Sequence, residues 1–66
     1  MKIVLNGQEW EIGDTTTLMQ LLDDAGYAQR RVAVEVNREI VPRSRYDTQA
    51  LNAGDRVEIV HAIGGG

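Results

Sequence analysis

The fold is decided close to the start of the chain, where residues 3–12 read IVLNGQEWEI. An Asn-Gly pair between two apolar runs is the strongest short-range signal for a β-hairpin, because both residues tolerate the positive φ of a type I′ turn. After the turn, apolar residues alternate with glutamates, which is the period of a half-buried strand. The stretch predicts a hairpin over residues 2–12 whose core face is formed by Ile3, Leu5, Trp10 and Ile12.

The period then changes from that of a strand to that of a helix. Apolar residues recur at i, i+3, i+4 and i+7, the spacing of one helix face. They are Leu18, Leu21, Leu22 and Ala25. Thr17 and Gln20 have the spacing of a capping box, and Gly26 suits a left-handed C-cap. The sequence therefore predicts a helix at about residues 17–25.

The second half of the chain predicts three more strands. Alternating valines indicate a strand over residues 31–37, and Asn37-Arg38 can turn the chain back into a short strand that ends at Pro42. Residues 43–50 are polar and irregular, with room for one turn of 3₁₀ helix and with Leu51 as an anchor. A final strand is predicted over residues 56–63, although its alternation is lost after Ile59.

The order of these elements, β-β-α-β-β-β, is typical of an α+β domain with one helix packed across one face of a mixed sheet. The helical connection is long enough for the first and last strands to lie side by side and parallel. This is the β-grasp, or ubiquitin-like, arrangement. We expect the domain to span residues 1–63, followed by a flexible glycine tail at 64–66. The predicted core is Ile3, Leu5, Ile12, Leu18, Leu22, Val34, Val57 and Ile59.

Composition excludes several classes of function. The 66 residues allow one small domain, and the chain has no cysteine and a single histidine. Disulfides, cysteine-ligated metals, a cysteine nucleophile and a two-histidine metal site are thereby excluded. No apolar run is long enough for a signal peptide or a membrane span, so we expect a cytoplasmic protein with no membrane partner. The usual catalytic constellations are absent, which predicts a protein whose function lies in being bound and not in catalysis.

Charge is unevenly distributed along the chain. The net charge is −3, yet five of the seven cations lie in the middle of the sequence. They are Arg30, Arg31, Arg38, Arg43 and Arg45. Because the net charge is negative and no aromatic residues are interleaved with them, a solvated or partner-facing edge explains them better than a nucleic-acid patch. The lone His61, in the last strand, is interpreted as a surface or half-buried strand residue.

The exceptional feature is the sequence of three glycines at the end, Gly64, Gly65 and Gly66. A frayed tail or a cloning remnant is the simplest interpretation, since termini are commonly loose. Glycine nevertheless lets the backbone approach another surface closely, and three extended residues reach about 10 Å. Such a tail could thread into a partner's active site and present its terminal carboxylate, which can be activated as an acyl-adenylate and attacked by a nucleophile.

Three segments resemble the ThiS family of ubiquitin-like sulfur carriers of thiamine biosynthesis. They are residues 3–7 (IVLNG), 34–43 (VEVNREIVPR) and 54–66 (GDRVEIVHAIGGG). The resemblance covers nearly the whole chain, and its most specific parts are the central Asn-x-x-Ile-Val-Pro-Arg and the terminal glycines. The family ends in Gly-Gly, so Gly65 and Gly66 match its motif and Gly64 is an addition.

The resemblance implies a mechanism and a set of partners. A ThiF-like adenylating enzyme would join the Gly66 carboxylate to AMP from ATP, and the carrier itself would bind no cofactor. A persulfide sulfur drawn from cysteine by a desulfurase would displace AMP and leave a thiocarboxylate. A ThiG-like thiazole synthase would take that sulfur. Val60, Ala62 and Ile63 are expected to be the exposed apolar contacts flanking the tail, with Pro42 and Arg43 as further candidates.

Two alternatives stay open at this point. The small subunit of molybdopterin synthase shares the fold, tail and thiocarboxylate chemistry, although the short chain and the Ile-Val-Pro-Arg segment argue against it. A non-covalent β-grasp binding module would have a tail with no chemical role. The intact mass after incubation with ATP, a sulfur source and an activating enzyme distinguishes the binding module from the two carriers.

Overall fold

The structure, a computed structural model, describes residues 1–61 and contains the elements in the predicted order. They are β1 (Lys2–Leu5), β2 (Gln8–Glu11), α1 (Leu18–Asp24), β3 (Val32–Val36), β4 (Glu39–Val41), a 3₁₀ turn (Arg43–Arg45) and β5 (Arg56–His61). Residues 62–63 of the predicted last strand, and the predicted boundary between domain and tail, lie outside the described residues.

The five strands form one mixed sheet in the order β2-β1-β5-β3-β4. The central strand β5 runs parallel to β1, with Leu5 opposite Val57, and antiparallel to β3. The parallel pairing of the first and last strands, predicted from the length of the helical connection, is confirmed. As a result, the strand that precedes the glycine tail in the sequence is the central strand of the sheet, with a neighbouring strand on each side.

Both hairpins turn through asparagine with positive φ. Asn6 and Gly7 have φ values of 48° and 82°, and Asn37 and Arg38 have values of 52° and 69°. Positive φ at both central residues is the mark of a type I′ turn, whose twist matches that of the strands it joins. The Asn-Gly prediction is confirmed. The Asn-Arg turn shows that asparagine can start the same geometry without a glycine after it.

Helix α1 begins and ends one residue inside the predicted range, because Thr17 and Ala25 are its caps. The Gln20 N–H donates to the Thr17 hydroxyl at 3.3 Å, and the Thr17 N–H donates to Oε1 of Gln20 at 2.8 Å, so the predicted capping box is confirmed. The loop before β5 also serves this end of the helix. The Leu18 and Met19 N–H groups donate to backbone oxygens of Gln49 and Tyr46 at 2.9 and 2.8 Å. The helix start is therefore fixed by tertiary contacts.

The core lies between α1 and one face of the sheet. All but one of the predicted core residues are buried, and the most deeply buried side chains come from both layers. They are Ile3, Leu18, Leu21, Leu22, Val34 and Val57. The prediction was wrong for Ile12, which is only partly buried, as is Trp10. Both belong to the β2 side of the sheet, where the strand is an edge and is covered less completely.

The core also contains residues that the pattern did not predict. Tyr46, from the segment interpreted as polar and irregular, is only 6% exposed, and Leu51 is buried as expected. Burial raises the pKa of the Tyr46 phenol, an effect that the nearby Arg43 charge partly opposes. An isolated aromatic residue in a polar segment has no period, so the hydropathy pattern gave no signal for it.

Asp55 organises the start of β5. Among residues 1–61, it is the one charged residue that is buried. Its two carboxylate oxygens accept hydrogen bonds from Nδ2 of Asn37 at 3.0 Å and from the Asn52 N–H at 2.8 Å. Its backbone oxygen accepts from the Val4 N–H at 2.9 Å. One side chain thus ties the β3–β4 turn to the loop before β5, while its backbone joins β1.

Candidate functional site at the end of strand β5

Pro42 and Arg43, the two further candidates for partner contact, are both exposed. The other six predicted site residues divide into one that the structure describes and five that it does not. Val60 lies in β5 and is 55% exposed. Ala62, Ile63, Gly64, Gly65 and Gly66 lie outside the described residues. The roles assigned to these six residues stay predictions.

Alternation along β5 separates its two faces. Val57 and Ile59 face α1 and are buried, whereas Val60 is on the opposite face, directly across from the exposed Ala33 of β3. Val60 is therefore outside the core, as predicted from the loss of alternation in the sequence. The two small apolar side chains form an open patch next to the last described residues of the strand.

On the other face, His61 packs against the segment that follows α1. The centroids of the His61 and Tyr27 rings are 5.9 Å apart and their planes are inclined by 48°. This distance lies within the range of attractive aromatic pairs. His61 remains exposed and Tyr27 is half-buried. Of the surface and half-buried positions that the sequence left open for the histidine, the structure shows the surface position. The contact braces the end of β5 against the α1–β3 connection.

Asn6 supports β5 where β1 has ended. Its N–H donates to the Val57 oxygen at 2.9 Å, and its side-chain Oδ1 accepts the N–H of Ile59 at 2.8 Å. The sequence identified Asn6 only as a turn residue. This second role could not be seen in the pattern, because the partner is 53 positions away. The bond extends the parallel ladder by one side chain toward the tail.

The end of β5 is supported by the Asn6 side chain on one side and by β3 on the other. Residues 1–61 contain no group of three or more His, Cys, Asp or Glu side chains that could hold a metal ion. A cavity of about 230 Å³ lies beside the β3–β4 hairpin, and its lining includes Asn37, Arg45 and Asp55. Over the same residues, no helix is both long enough and apolar enough to cross a membrane.

Comparison with known proteins agrees with this geometry. The sequence profile of the ThiS family matches residues 2–66. The chain belongs to the ThiS family. A crystal structure of the thiamine biosynthesis protein ThiS from Geobacter metallireducens superposes with a TM-score of 0.87 at 30% identity and covers both chains completely. The predicted family and the predicted β-grasp fold are thus confirmed.

Relatives of two kinds match this ThiS-family chain. The sulfur carrier protein ThiS of Bacillus subtilis is 41% identical over 64 residues, which cover 94% of this chain and 96% of the relative. A thiazole synthase of Paramagnetospirillum magneticum is 50% identical over 66 residues, which cover all of this chain and 20% of the relative. The chain therefore spans about a fifth of the length of that thiazole synthase, and a second one, from Magnetococcus marinus, gives the same share.

Proposed function

We propose that the protein is a sulfur carrier for synthesis of the thiamine thiazole and that it acts through the α-carboxylate of Gly66. The observation that carries the proposal is the ThiS-family match over residues 2–66, which includes the terminal glycines. The fold supports it, because the central strand of the sheet leads directly to those glycines. Cytoplasmic location belongs to the same proposal.

The proposed chemistry begins with activation of a poor electrophile. The Gly66 carboxylate attacks the α-phosphate of ATP on a ThiF-like enzyme, which forms an acyl-adenylate and releases pyrophosphate. The terminal sulfur of a persulfide, supplied by a cysteine desulfurase, attacks the acyl carbon and AMP leaves. A second thiol then breaks the sulfur–sulfur bond, so that Gly66 carries a thiocarboxylate and the two thiols form a disulfide. The first step is nucleotidyl transfer at phosphorus, the second is acyl substitution and the third is thiol exchange.

In this proposal the carrier supplies a handle and leaves catalysis to its partners. Glycine residues have no side chain, so Gly64, Gly65 and Gly66 suit a channel shaped for bare backbone. Val60 supplies an exposed apolar contact on β5, and Ala62 and Ile63 continue it in the sequence. The carrier binds no cofactor, and the adenylating partner uses the ATP.

A ThiG-like thiazole synthase is the proposed acceptor of the sulfur. Two thiazole synthases each contain a stretch similar to the whole of this chain, at 50% and 46% identity. Proteins whose domains occur together in one polypeptide in other organisms often act on a common substrate. The relatives whose names state a carrier role are called ThiS, and this favours the thiazole pathway over that of molybdopterin.

The test is intact-mass spectrometry of the carrier after incubation with ATP, a persulfide donor and the adenylating enzyme. The protein should gain the mass difference between sulfur and oxygen, located on the C-terminal peptide. Addition of thiazole synthase together with its other substrates, which accept the sulfur, should return the original mass, whereas the large subunit of molybdopterin synthase with its substrate should not. A carrier whose mass never changes with its cognate activating enzyme would establish the binding-module alternative instead.

A further inference from the structure

The fold places four of the five mid-chain arginines in two groups that the sequence does not separate. Arg38 lies in the β3–β4 turn, close to the start of β5. Arg30, Arg31 and Arg43 lie at the opposite end of the sheet, near His61, and all three are exposed. We call these three residues the arginine collar. Their placement follows from contacts of the two connections with each other's neighbours and with the last described residue of β5.

Arg30 and Arg31 reach this end through the connection between α1 and β3. The Arg30 N–H donates to the Tyr27 oxygen at 3.0 Å, and the Tyr27 ring lies 5.9 Å from that of His61. Arg31 immediately precedes Val32, which is paired directly with His61. Both arginines are therefore beside the strand that leads to the tail.

Arg43 reaches the same end from the other side. The Tyr46 N–H donates to the Arg43 oxygen at 3.2 Å, and the Tyr46 hydroxyl makes a long hydrogen bond of 3.5 Å to the Val32 oxygen. The β3–β4 register also carries the chain in this direction, since Val41 is opposite Val34 and Arg43 follows two residues later. Three cations from two connections thus converge on one end of β5.

No carboxylate of the described residues neutralises the collar. Within residues 1–61, the ion pairs shorter than 4 Å are those of the Met1 amino group with Glu11 and Asp14. A cluster of like charges costs electrostatic energy unless an opposite charge approaches it. Within the described residues the collar is therefore a group of cations without an ion-pair partner, in a chain whose net charge is −3.

We propose that the arginine collar binds an acidic surface at the mouth of the channel in which the adenylating enzyme receives the tail. This rests on the proposed function. The arginine fork pairs with carboxylates in two parallel hydrogen bonds, so three arginines around the end of β5 orient the domain on the partner as well as attract it. A phosphate backbone is the less suitable occupant, because the rest of an acidic protein would repel it.

The experiment compares a charge-reversed collar with a charge-reversed control of the same chain. The triple variant Arg30→Glu, Arg31→Glu, Arg43→Glu is tested against Arg38→Asp. Position 38 lies about 13 Å or more along the sheet from the collar, and aspartate tolerates the positive φ of the turn. The measurements are the Kd for the cognate adenylating enzyme by calorimetry, and KM and kcat for pyrophosphate release, at low and high ionic strength. Thermal unfolding of both variants shows that they are folded.

The collar variant should raise Kd and KM by about tenfold or more at low salt with kcat nearly unchanged, and the difference should shrink at high salt. The Arg38→Asp variant should bind within about twofold of the parent. If the triple variant is unfolded, Arg31→Gln with Arg43→Gln should show the same salt-dependent defect in a milder form.

Two results overturn the proposal without touching the proposed function. One is a collar variant that matches Arg38→Asp in Kd and KM while the parent chain is adenylated normally. The other is a short DNA duplex that binds the parent chain more tightly than the enzyme does, which would assign the collar to nucleic acid. A parent chain that the enzyme never adenylates would overturn the proposed function, and the collar's role with it.

Discussion

Asn6 and Ile59 are joined across 53 positions of sequence by a hydrogen bond of 2.8 Å from the Ile59 N–H to the Asn6 side-chain oxygen. The bond lies where β1 has ended and β5 continues toward the tail. It explains why this turn benefits from asparagine in particular. Asparagine accepts a φ of +48°. Its side chain also supplies a hydrogen-bond acceptor for the Ile59 N–H beyond the end of β1.

Replacement of Asn6 by glycine should therefore destabilise the protein even though glycine adopts positive φ readily. The partly buried Ile59 N–H would lose its acceptor, at a cost of about 1 to 3 kcal/mol. Asn6→Asp is the matched control, because aspartate tolerates the same φ and retains an acceptor oxygen. Urea unfolding of both variants measures the difference. Equal destabilisation by glycine and aspartate would show that the hydrogen bond contributes nothing.

Val60→Glu should leave the fold nearly as stable as the parent, because the side chain is 55% exposed and faces away from α1. It should weaken binding of the adenylating enzyme, since a charge would enter an apolar contact. Ile40→Glu is the control. Ile40 is 73% exposed in β4, and its register partner Glu35 lies nearer the start of β5. The measurements are the calorimetric Kd and the melting temperature of both variants. Unfolding of the Val60→Glu protein would contradict the prediction, because it would show that Val60 contributes to the core.

Deletion of Gly66 should change the melting temperature very little, because terminal residues beyond a strand contribute little burial. It should abolish thiocarboxylate formation, since the Gly65 carboxylate would be about 3.5 Å short of the reacting phosphate. Gly66→Val should fail for a different reason, because its branched side chain would enter a channel shaped for backbone. Mass spectrometry reports both variants, and normal sulfur gain by the truncated chain would remove Gly66 from the mechanism.

Tyr46 predicts a loss of stability in alkali. Burial raises the pKa of its phenol above the ordinary value of 10.0, with the Arg43 charge opposing part of the rise. Below pH 10 the phenol is protonated in both states, so its contribution is fully present. As the pH rises past 10, the unfolded chain loses the proton first and the free energy of unfolding falls. Tyr46→Phe should flatten this fall in urea titrations, and an unchanged slope would assign it to other groups.

The sequence predicted the features whose signals are local. The Asn-Gly turn, the capping box of α1 and the alternation of β3 each lie within a few residues, and each was confirmed. Ile12 was predicted wrongly because a period of two reports which residues share a face and says nothing of whether that face is covered. Tyr46 was missed because one aromatic residue has no period.

The side-chain bonds from Asn6 to Ile59 and from Asn37 to Asp55 were beyond reach of any pattern, since they join residues 53 and 18 positions apart. The same limit applies to the site. The failure of alternation after Ile59 was enough to place Val60 outside the core. The convergence of arginines from two separate connections at the end of β5 became apparent only when the strands were placed side by side.

The parallel contact of Val4 with Arg56 has a consequence for how the domain is made. On the ribosome, β1 emerges first and pairs with β2, but some fifty further residues must follow before its parallel partner β5 exists, and β3 waits for the same strand. The entropy cost of closing so long a loop is not offset until β5 pairs with its neighbours. Folding should therefore be one late event with high contact order. A chain interrupted before β5 would lack the centre of its sheet. The glycine tail, which follows β5 in synthesis, is thus offered to enzymes only by a finished domain.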